Sequence, residues 1–97
     1  MAPEFDTALR KVHAAEGRNA RFECIVRGTP KPEISWFKGT REIFDGPKYE
    51  ISGDGDTQTL VVKDIFGEDA DEYVCKASNR GGHKSSRADL EISCKLT

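Results

Sequence analysis

Between Asp69 and Asn79 the chain reads DADEYVCKASN. Tyr73, Cys75 and Ala77 stand at every second position, which is the spacing of a β-strand that buries one face. The acidic residues before the tyrosine and the asparagine after the strand are typical of turns. The segment therefore predicts a strand that carries a tyrosine and a cysteine into one core.

Two upstream residues complete the arrangement. Cys24 lies in the alternating run Ala20–Val26, and Trp36 follows on the next predicted strand, also on the inward face. Two packed sheets are ~10 Å apart, a gap that a pair of cysteines can bridge. An indole is large enough to fill the space beside that pair. The alternation thus predicts that Cys24, Trp36 and Cys75 each lie on the buried face of a strand.

The same period of two recurs along the rest of the chain, with turn residues between the runs. Glycine, proline and asparagine separate the apolar runs, most clearly in Gly28–Pro32 and Asn79–Gly82. Frequent turns between short alternating segments predict about seven to nine strands and no long helix. A length of 97 residues fits one domain.

The order of Cys24, Trp36, Tyr73 and Cys75 resembles that of immunoglobulin domains of the intermediate set. Asp71 departs from that pattern, because the family usually has glycine or alanine there. The resemblance implies an all-β, immunoglobulin-like Greek-key β-sandwich of two antiparallel sheets. Its expected structural core comprises Cys24, Trp36, Leu60, Tyr73 and Cys75. Further similar segments are Gly28–Gly39, Lys48–Ile51, Leu60–Val62 and Ala88–Ile92.

The domain boundaries follow from the same reading. Residues 1–5 are expected to be a disordered start or a cloning remnant. Residues 6–95 are expected to form the single domain.

Composition and motifs exclude several functions. The chain is 33% charged with a net charge of −2, which lacks the basic excess of nucleic-acid binding, and no apolar run is long enough to span a membrane. Cys24, Cys75 and Cys94 have no zinc-ligand spacing, and neither His13 nor His83 lies in a catalytic motif. No metal, cofactor or catalytic residue is expected, so the chain is not expected to be an enzyme.

The sequence leaves open whether Cys24 and Cys75 form a disulfide. Cys24 and Cys75 are a candidate disulfide, which would stabilise the domain by roughly 4 kcal/mol. In the cytosol the bond is disfavoured, and two reduced thiols would simply pack as small apolar groups. We favour reduced thiols in the cell. Cys94, at the end of the last predicted strand, is interpreted as a partly exposed residue without a functional role. The alternative is a contact or redox thiol at a domain junction.

Two charged groups are candidate surface features. Arg80, His83, Lys84 and Arg87 form a basic run on the last predicted hairpin. It is read as a polar outer face, with a partner contact for an acidic surface as the alternative. The acidic group Glu68, Asp69, Asp71 and Glu72 is interpreted as a solvated corner, with partner docking as the alternative. Asp69 is expected to pair with Lys48, as the resemblance implies.

Two further segments, Glu16–Cys24 and Trp36–Lys38, narrow the resemblance within the intermediate set. On them the chain looks most like domains of giant sarcomeric proteins such as titin, twitchin, obscurin, the myosin-binding proteins and myosin light-chain kinase. This implies a non-enzymatic structural and interaction module of a multi-domain muscle protein, which bears load and docks partners in the cytoplasmic sarcomere or cytoskeleton. A kinase elsewhere in the parent protein is compatible with that. Expected partners are other protein domains, including myosin, actin and neighbouring immunoglobulin or fibronectin-type domains. The alternative is an extracellular adhesion or receptor domain.

Overall fold

The computed structural model describes residues 1–93. Within that range the chain forms nine β-strands and one short 3₁₀ helix. The strands are β1 (Glu4–Thr7), β2 (Val12–Ala15), β3 (Ala20–Arg27), β4 (Glu33–Lys38), β5 (Arg41–Ile43), β6 (Tyr49–Asp54), β7 (Thr57–Val62), β8 (Glu72–Asn79) and β9 (Gly82–Ser93), and the 3₁₀ helix covers Gly67–Asp69. No described helix is long and apolar enough to cross a membrane.

The strands form two sheets, as predicted. One has the order β1-β3-β7-β6 and the other the order β2-β9-β8-β4-β5. All pairs are antiparallel except β2 with β9, which run parallel over Val12–Ala15 and Leu90–Ser93. The first part of the chain therefore contributes a strand to each sheet, β1 to one and β2 to the other.

Alternation along each central strand creates the core. In β3 every second residue is buried, from Ala20 through Phe22 and Cys24 to Val26, whereas the residues between them are exposed or half-buried. The inward residues of the facing sheet fill the opposite side of the same core. Burying apolar area in this way is the main stabilising term of such a domain.

The structure differs from the disordered start predicted for residues 1–5. Glu4 and Phe5 belong to β1 and pair with β3, and Pro3 is among the fully buried side chains. Phe5 also packs against the core. The free edge of β3 provides the backbone partners that order this segment, and such a distant partner is not visible in a four-residue run. The predicted end at residue 95 lies outside the described residues.

The sandwich has two distinct ends. At the upper end, Met1–Pro3 meets the β3–β4 loop and the β8–β9 turn: the Thr29 N–H donates to the Met1 carbonyl, and the Asn79 side-chain amide donates to the same oxygen. At the lower end, the β2–β3 turn contacts the end of β9 and the segment after β7. The start and the end of the described chain therefore lie at opposite ends of a body that extends 52 Å along its longest axis.

Candidate functional site

The sulfur and indole groups meet at the centre of the sandwich. Cys24 on β3 and Cys75 on β8 come from opposite sheets, and their Sγ atoms are 3.6 Å apart. Trp36 on β4 is the direct cross-strand neighbour of Cys75. All three are at most 1% exposed, and Leu60 and Tyr73 are fully buried beside them. The five residues expected in the core thus lie in a single cluster.

Both cysteines are free thiols in this structure. The hydrogen bond shared with the Cys24 thiol, together with burial, raises the pKa of the Cys75 thiol. A protonated, buried thiol is a poor nucleophile. The same hydrogen bond lowers the pKa of the Cys24 thiol, but both sulfur atoms are enclosed, so the pair packs as apolar filling between the sheets.

The Trp36 indole is held by packing alone. Its Nε1 atom is buried and has no hydrogen-bond partner. An unpaired buried N–H group costs about 1–3 kcal/mol. Since the ring is nevertheless fully enclosed, the volume that it fills must outweigh that cost.

A tyrosine fixes the corner between β7 and β8. The Tyr73 hydroxyl donates to the Asp69 carbonyl oxygen over 2.8 Å, and its ring packs against Phe22 with centroids 5.2 Å apart. Burial raises the pKa of the Tyr73 hydroxyl, so it stays a neutral donor. The bond ties the 3₁₀ helix to the strand that follows it.

The Asp69 side chain lies at the same corner and is 4% exposed. It accepts hydrogen bonds from Lys48 Nζ at 2.7 Å and from the Phe66 N–H at 2.9 Å. Burial raises the pKa of this carboxyl, but the Lys48 and Phe66 hydrogen bonds and the charges of Lys48 and Lys38 outweigh burial, and the net pKa is lowered. The structure thus has the expected Lys48–Asp69 pair, with Asp69 ionised.

The basic run on the last hairpin is only partly brought together. Arg80 lies in the β8–β9 turn, and His83 and Arg87 lie on the outer face of β9. The Lys84 side chain extends from the other face of β9, because its cross-strand neighbour is the buried Ala77. All four basic side chains are exposed. They therefore surround the upper part of β9 instead of forming a row on one face.

The structure shows an organising residue that sequence reasoning missed. The Asn79 side-chain amide donates to the carbonyl oxygens of Met1 and Pro30, and its Oδ1 accepts from the Gly81 N–H. One side chain thus joins the N-terminal residues, the β3–β4 loop and the β8–β9 turn. The Asn-x-Gly turn signal was visible in the sequence, but the two distant carbonyls were not.

Two aromatic side chains are unusually exposed. Phe44 follows β5 and is 68% exposed, and Phe66 precedes the 3₁₀ helix and is 51% exposed. Lys48 Nζ lies 5.8 Å from the Phe66 ring centroid, within cation–π distance. Neither phenylalanine was singled out from the sequence, because no periodic pattern includes them.

The described residues contain no group of three or more histidine, cysteine or acidic side chains that could hold a metal ion. His13 Nε2 lies 2.7 Å from the Ser93 hydroxyl, a link between β2 and β9. His83 is exposed on β9. Both histidines thus lie in the five-stranded sheet, His13 on β2 at the lower end and His83 on β9 at the upper end.

Two sheets that close over a pair of cysteines and a buried indole, with a tyrosine tying down the neighbouring corner, define the immunoglobulin-like class of β-sandwich. The model of the immunoglobulin I-set domain matches residues 3–92. The chain therefore belongs to the I-set family of immunoglobulin domains.

Muscle and cytoskeletal proteins are among its relatives. The chain is 34% identical over 98 residues to titin of Drosophila melanogaster, covering 100% of the chain and, to the nearest per cent, 0% of titin. It is 36% identical over 92 residues to palladin of Mus musculus, covering 94% of the chain and 6% of palladin. The chain thus spans a small part of either relative's length.

A solved structure from a muscle protein complex is also similar to this chain. In the crystal structure of a complex of titin M10 with an obscurin-like 1 immunoglobulin domain, the matched chain has a TM-score of 0.96 and 27% identity, covering 100% of this chain and 98% of that one. The likeness extends over the whole domain.

Proposed function

We propose that this domain is a structural link and protein-interaction module of a multi-domain cytoskeletal or sarcomeric protein. The parallel pairing of β2 with β9 carries the proposal. These two strands are the first and the last of their sheet in the chain, and they meet at the lower end of the sandwich. The relatives in titin and palladin support the same class of parent protein.

The direction of the two strands decides how they respond to tension. The chain reaches β2 from the upper end, whereas β9 leaves at the lower end. A force that pulls these ends apart acts along both strands in opposite directions. It therefore slides β2 along β9 and loads their hydrogen bonds together, rather than opening them one at a time.

The hydrogen bonds that bear this load follow from the register. The Glu16 N–H donates to the Ser93 carbonyl oxygen over 3.0 Å. Because N–H direction alternates along a strand, the Ala14 N–H also faces β9 and the His13 N–H faces away. Replacing each residue by proline removes one N–H, but only Ala14→Pro removes a backbone bond to β9. His13→Pro removes instead the exposed side-chain contact with Ser93 and leaves the backbone ladder intact.

Single-molecule pulling from both ends of the domain tests the proposal. We expect Ala14→Pro to lower the unfolding force clearly and His13→Pro to change it little. Circular dichroism first establishes that both variants are folded. If the unmodified domain unfolds at negligible force, or if both variants weaken it equally, it does not bear load through β2 and β9.

The interaction part of the proposal rests on precedent and on exposed surface. Titin M10 forms a complex with an immunoglobulin domain of obscurin-like 1. For this chain we propose other protein domains as partners, with neighbouring immunoglobulin or fibronectin-type domains, myosin and actin as candidates. No catalytic role is proposed.

A cytoskeletal location requires Cys24 and Cys75 to work without a disulfide. We propose that both remain thiols in the cell, where reducing conditions oppose the bond. Mass spectrometry after rapid alkylation of protein from its native cells measures this directly. Alkylated Cys24 and Cys75 are the expected result. A quantitative bond between them would favour an extracellular adhesion or receptor domain. Cys94 lies outside the described residues.

A further inference from the structure

Strand β9 is much longer than its partner on the outer side. It has 12 residues, whereas β2 has 4 and pairs only with Leu90–Ser93. On the other side β8 follows β9 up to Gly82. Within residues 1–93, no strand covers the outer edge of β9 above Leu90. An uncovered edge presents unpaired backbone groups that another chain can use.

Two backbone bonds show which residues face this edge. The Leu90 N–H donates to the Asp71 carbonyl, towards the β8 side, and the Ser93 carbonyl accepts from Glu16, on the β2 side. Since backbone direction alternates along a strand, odd-numbered residues of β9 face outward. His83, Ser85 and Arg87 therefore offer their N–H and C=O groups at the open edge.

The chain segment that passes from β1 to β2 sets the lower end of the open edge of β9. The Leu9 N–H donates to the Ser86 hydroxyl instead of to a β9 carbonyl, because the chain here is moving from one sheet to the other. Ser86 is accordingly half-buried, whereas His83, Lys84 and Ser85 are exposed. The open edge thus extends from Gly82 to about Ser85, with Arg87 beside it.

Charge divides β9 into two halves. Arg80, His83, Lys84 and Arg87 surround the open edge. Asp89 lies next to the part of β9 that pairs with β2, and Glu91 lies within it. Arg87 contacts one carboxylate, Glu72, at 3.5 Å, and both side chains are largely exposed. Exposed ion pairs of this kind are weak, about 0–1 kcal/mol, so Arg87 is available for exchange to another partner.

The other edges of the two sheets are less suitable. Strand β5 has 3 residues, and β1 has 4 with an irregular register after Phe5. Strand β6 carries Glu50 and Asp54, which repel an acidic segment. Strand β2, the remaining edge strand, has 4 residues. Among the strands of residues 1–93, only the upper part of β9 combines a regular, exposed edge with positive charge.

We propose that the open edge of β9, from Gly82 to about Ser85 with Arg87 beside it, binds an extended acidic segment of a partner protein as an added β-strand. Main-chain hydrogen bonds to His83 and Ser85 supply the pairing, and the surrounding basic side chains select for carboxylates. The inference rests on the interaction role proposed above and names its surface and its mode of binding.

The probe is a synthetic peptide of about six residues that alternates glutamate and threonine, titrated into the isotope-labelled full chain and followed by NMR. We expect shift changes and slowed amide exchange at His83, Ser85 and Arg87. The same peptide with lysine in place of glutamate should not bind. Shift changes centred on Phe44 and Phe66 would overturn the proposal, as would the absence of binding.

Two variants separate pairing from charge. Ser85→Pro removes an outward N–H without removing a bond to β8, so the fold is kept and peptide binding should fall by about tenfold or more, equivalent to about 1.4 kcal/mol. Lys84→Glu should also weaken binding, whereas Arg18→Glu, the same charge change at the lower end, should not. Unchanged binding in Ser85→Pro overturns the added-strand mode. The pulling experiment is independent of this edge, so a failure here leaves the load-bearing role standing.

Discussion

Asp69 stabilises the corner between β7 and β8 through both its side-chain carboxylate and its backbone carbonyl. Its carboxylate accepts from Lys48 and from the Phe66 N–H, and its carbonyl accepts from Tyr73. The carboxylate is nearly enclosed, whereas the Lys48 side chain is 37% exposed, so solvent screens their attraction in part. Removing the charge leaves Lys48 beside a neutral group, while the amide oxygen of an asparagine can still accept from the Phe66 N–H.

We expect Asp69→Asn to lower the free energy of unfolding by about 1–3 kcal/mol at neutral pH, measured by urea denaturation. The folded-state pKa is lowered, so this contribution is present above the unfolded pKa of about 3.9 and is lost as pH falls through the folded value. The difference from the unmodified domain should therefore shrink at acidic pH. Asp54→Asn, at an exposed hairpin tip, is the control and should change little. A difference that stays constant down to about pH 2 would contradict the charge-based explanation.

At the scale of elements, the segment Met1–Pro3 acts as a strap across the upper end. Asn79 and Thr29 bond to Met1, and Pro3 is buried. Gly81 lies directly under the strap: a Cβ there would be 2.8 Å from the Ala2 nitrogen. The absence of a side chain at position 81 is thus what lets the strap lie flat on the β8–β9 turn.

Gly81→Ala should therefore destabilise the domain by about 1–3 kcal/mol, the usual cost of overpacking. Gly46→Ala is the matched control, because a Cβ there meets nothing within 4 Å. Thermal unfolding measures both. In a chain that lacks Met1 and Ala2, the cost of Gly81→Ala should largely disappear. If it persists there, the strap is not its cause.

The order of the segment Met1–Pro3 and of strand β1 could not be predicted from the sequence. The central strands and the cysteine–indole core were predictable, because long alternating runs and a large buried ring leave few arrangements. Strand β1 was not, because four residues carry too little periodicity and their order depends on β3. The sequence reading placed Lys84 on the same outer face as His83 and Arg87, whereas the period of two places it on the other face, beside Ala77. The uncovered edge beside it depends on where β2 ends, which no local pattern records.

At the scale of the whole molecule, four of the seven strand pairs in residues 1–93 join strands that are not neighbours in the sequence. Ala20 pairs with Val62, and Val12 pairs with Leu90. The entropy of closing such long loops must be lost before the contacts form, which slows folding. Trp36, the single tryptophan, lies between the two sheets and is enclosed only when both are in place.

Folding should therefore take milliseconds to seconds, as is typical of β-sandwiches rich in non-local contacts. Stopped-flow refolding followed by Trp36 fluorescence should give the same rate as far-UV circular dichroism, because the indole has no enclosed environment until the strands of both sheets pair. The second probe serves as the control for the first. Burial of Trp36 in an earlier, separate phase would show that one sheet encloses the ring by itself, and the core would then form in steps. Equal rates would mean that the sulfur pair, the indole and both sheets assemble in one transition, so the load on β2 and β9 is opposed by the whole domain.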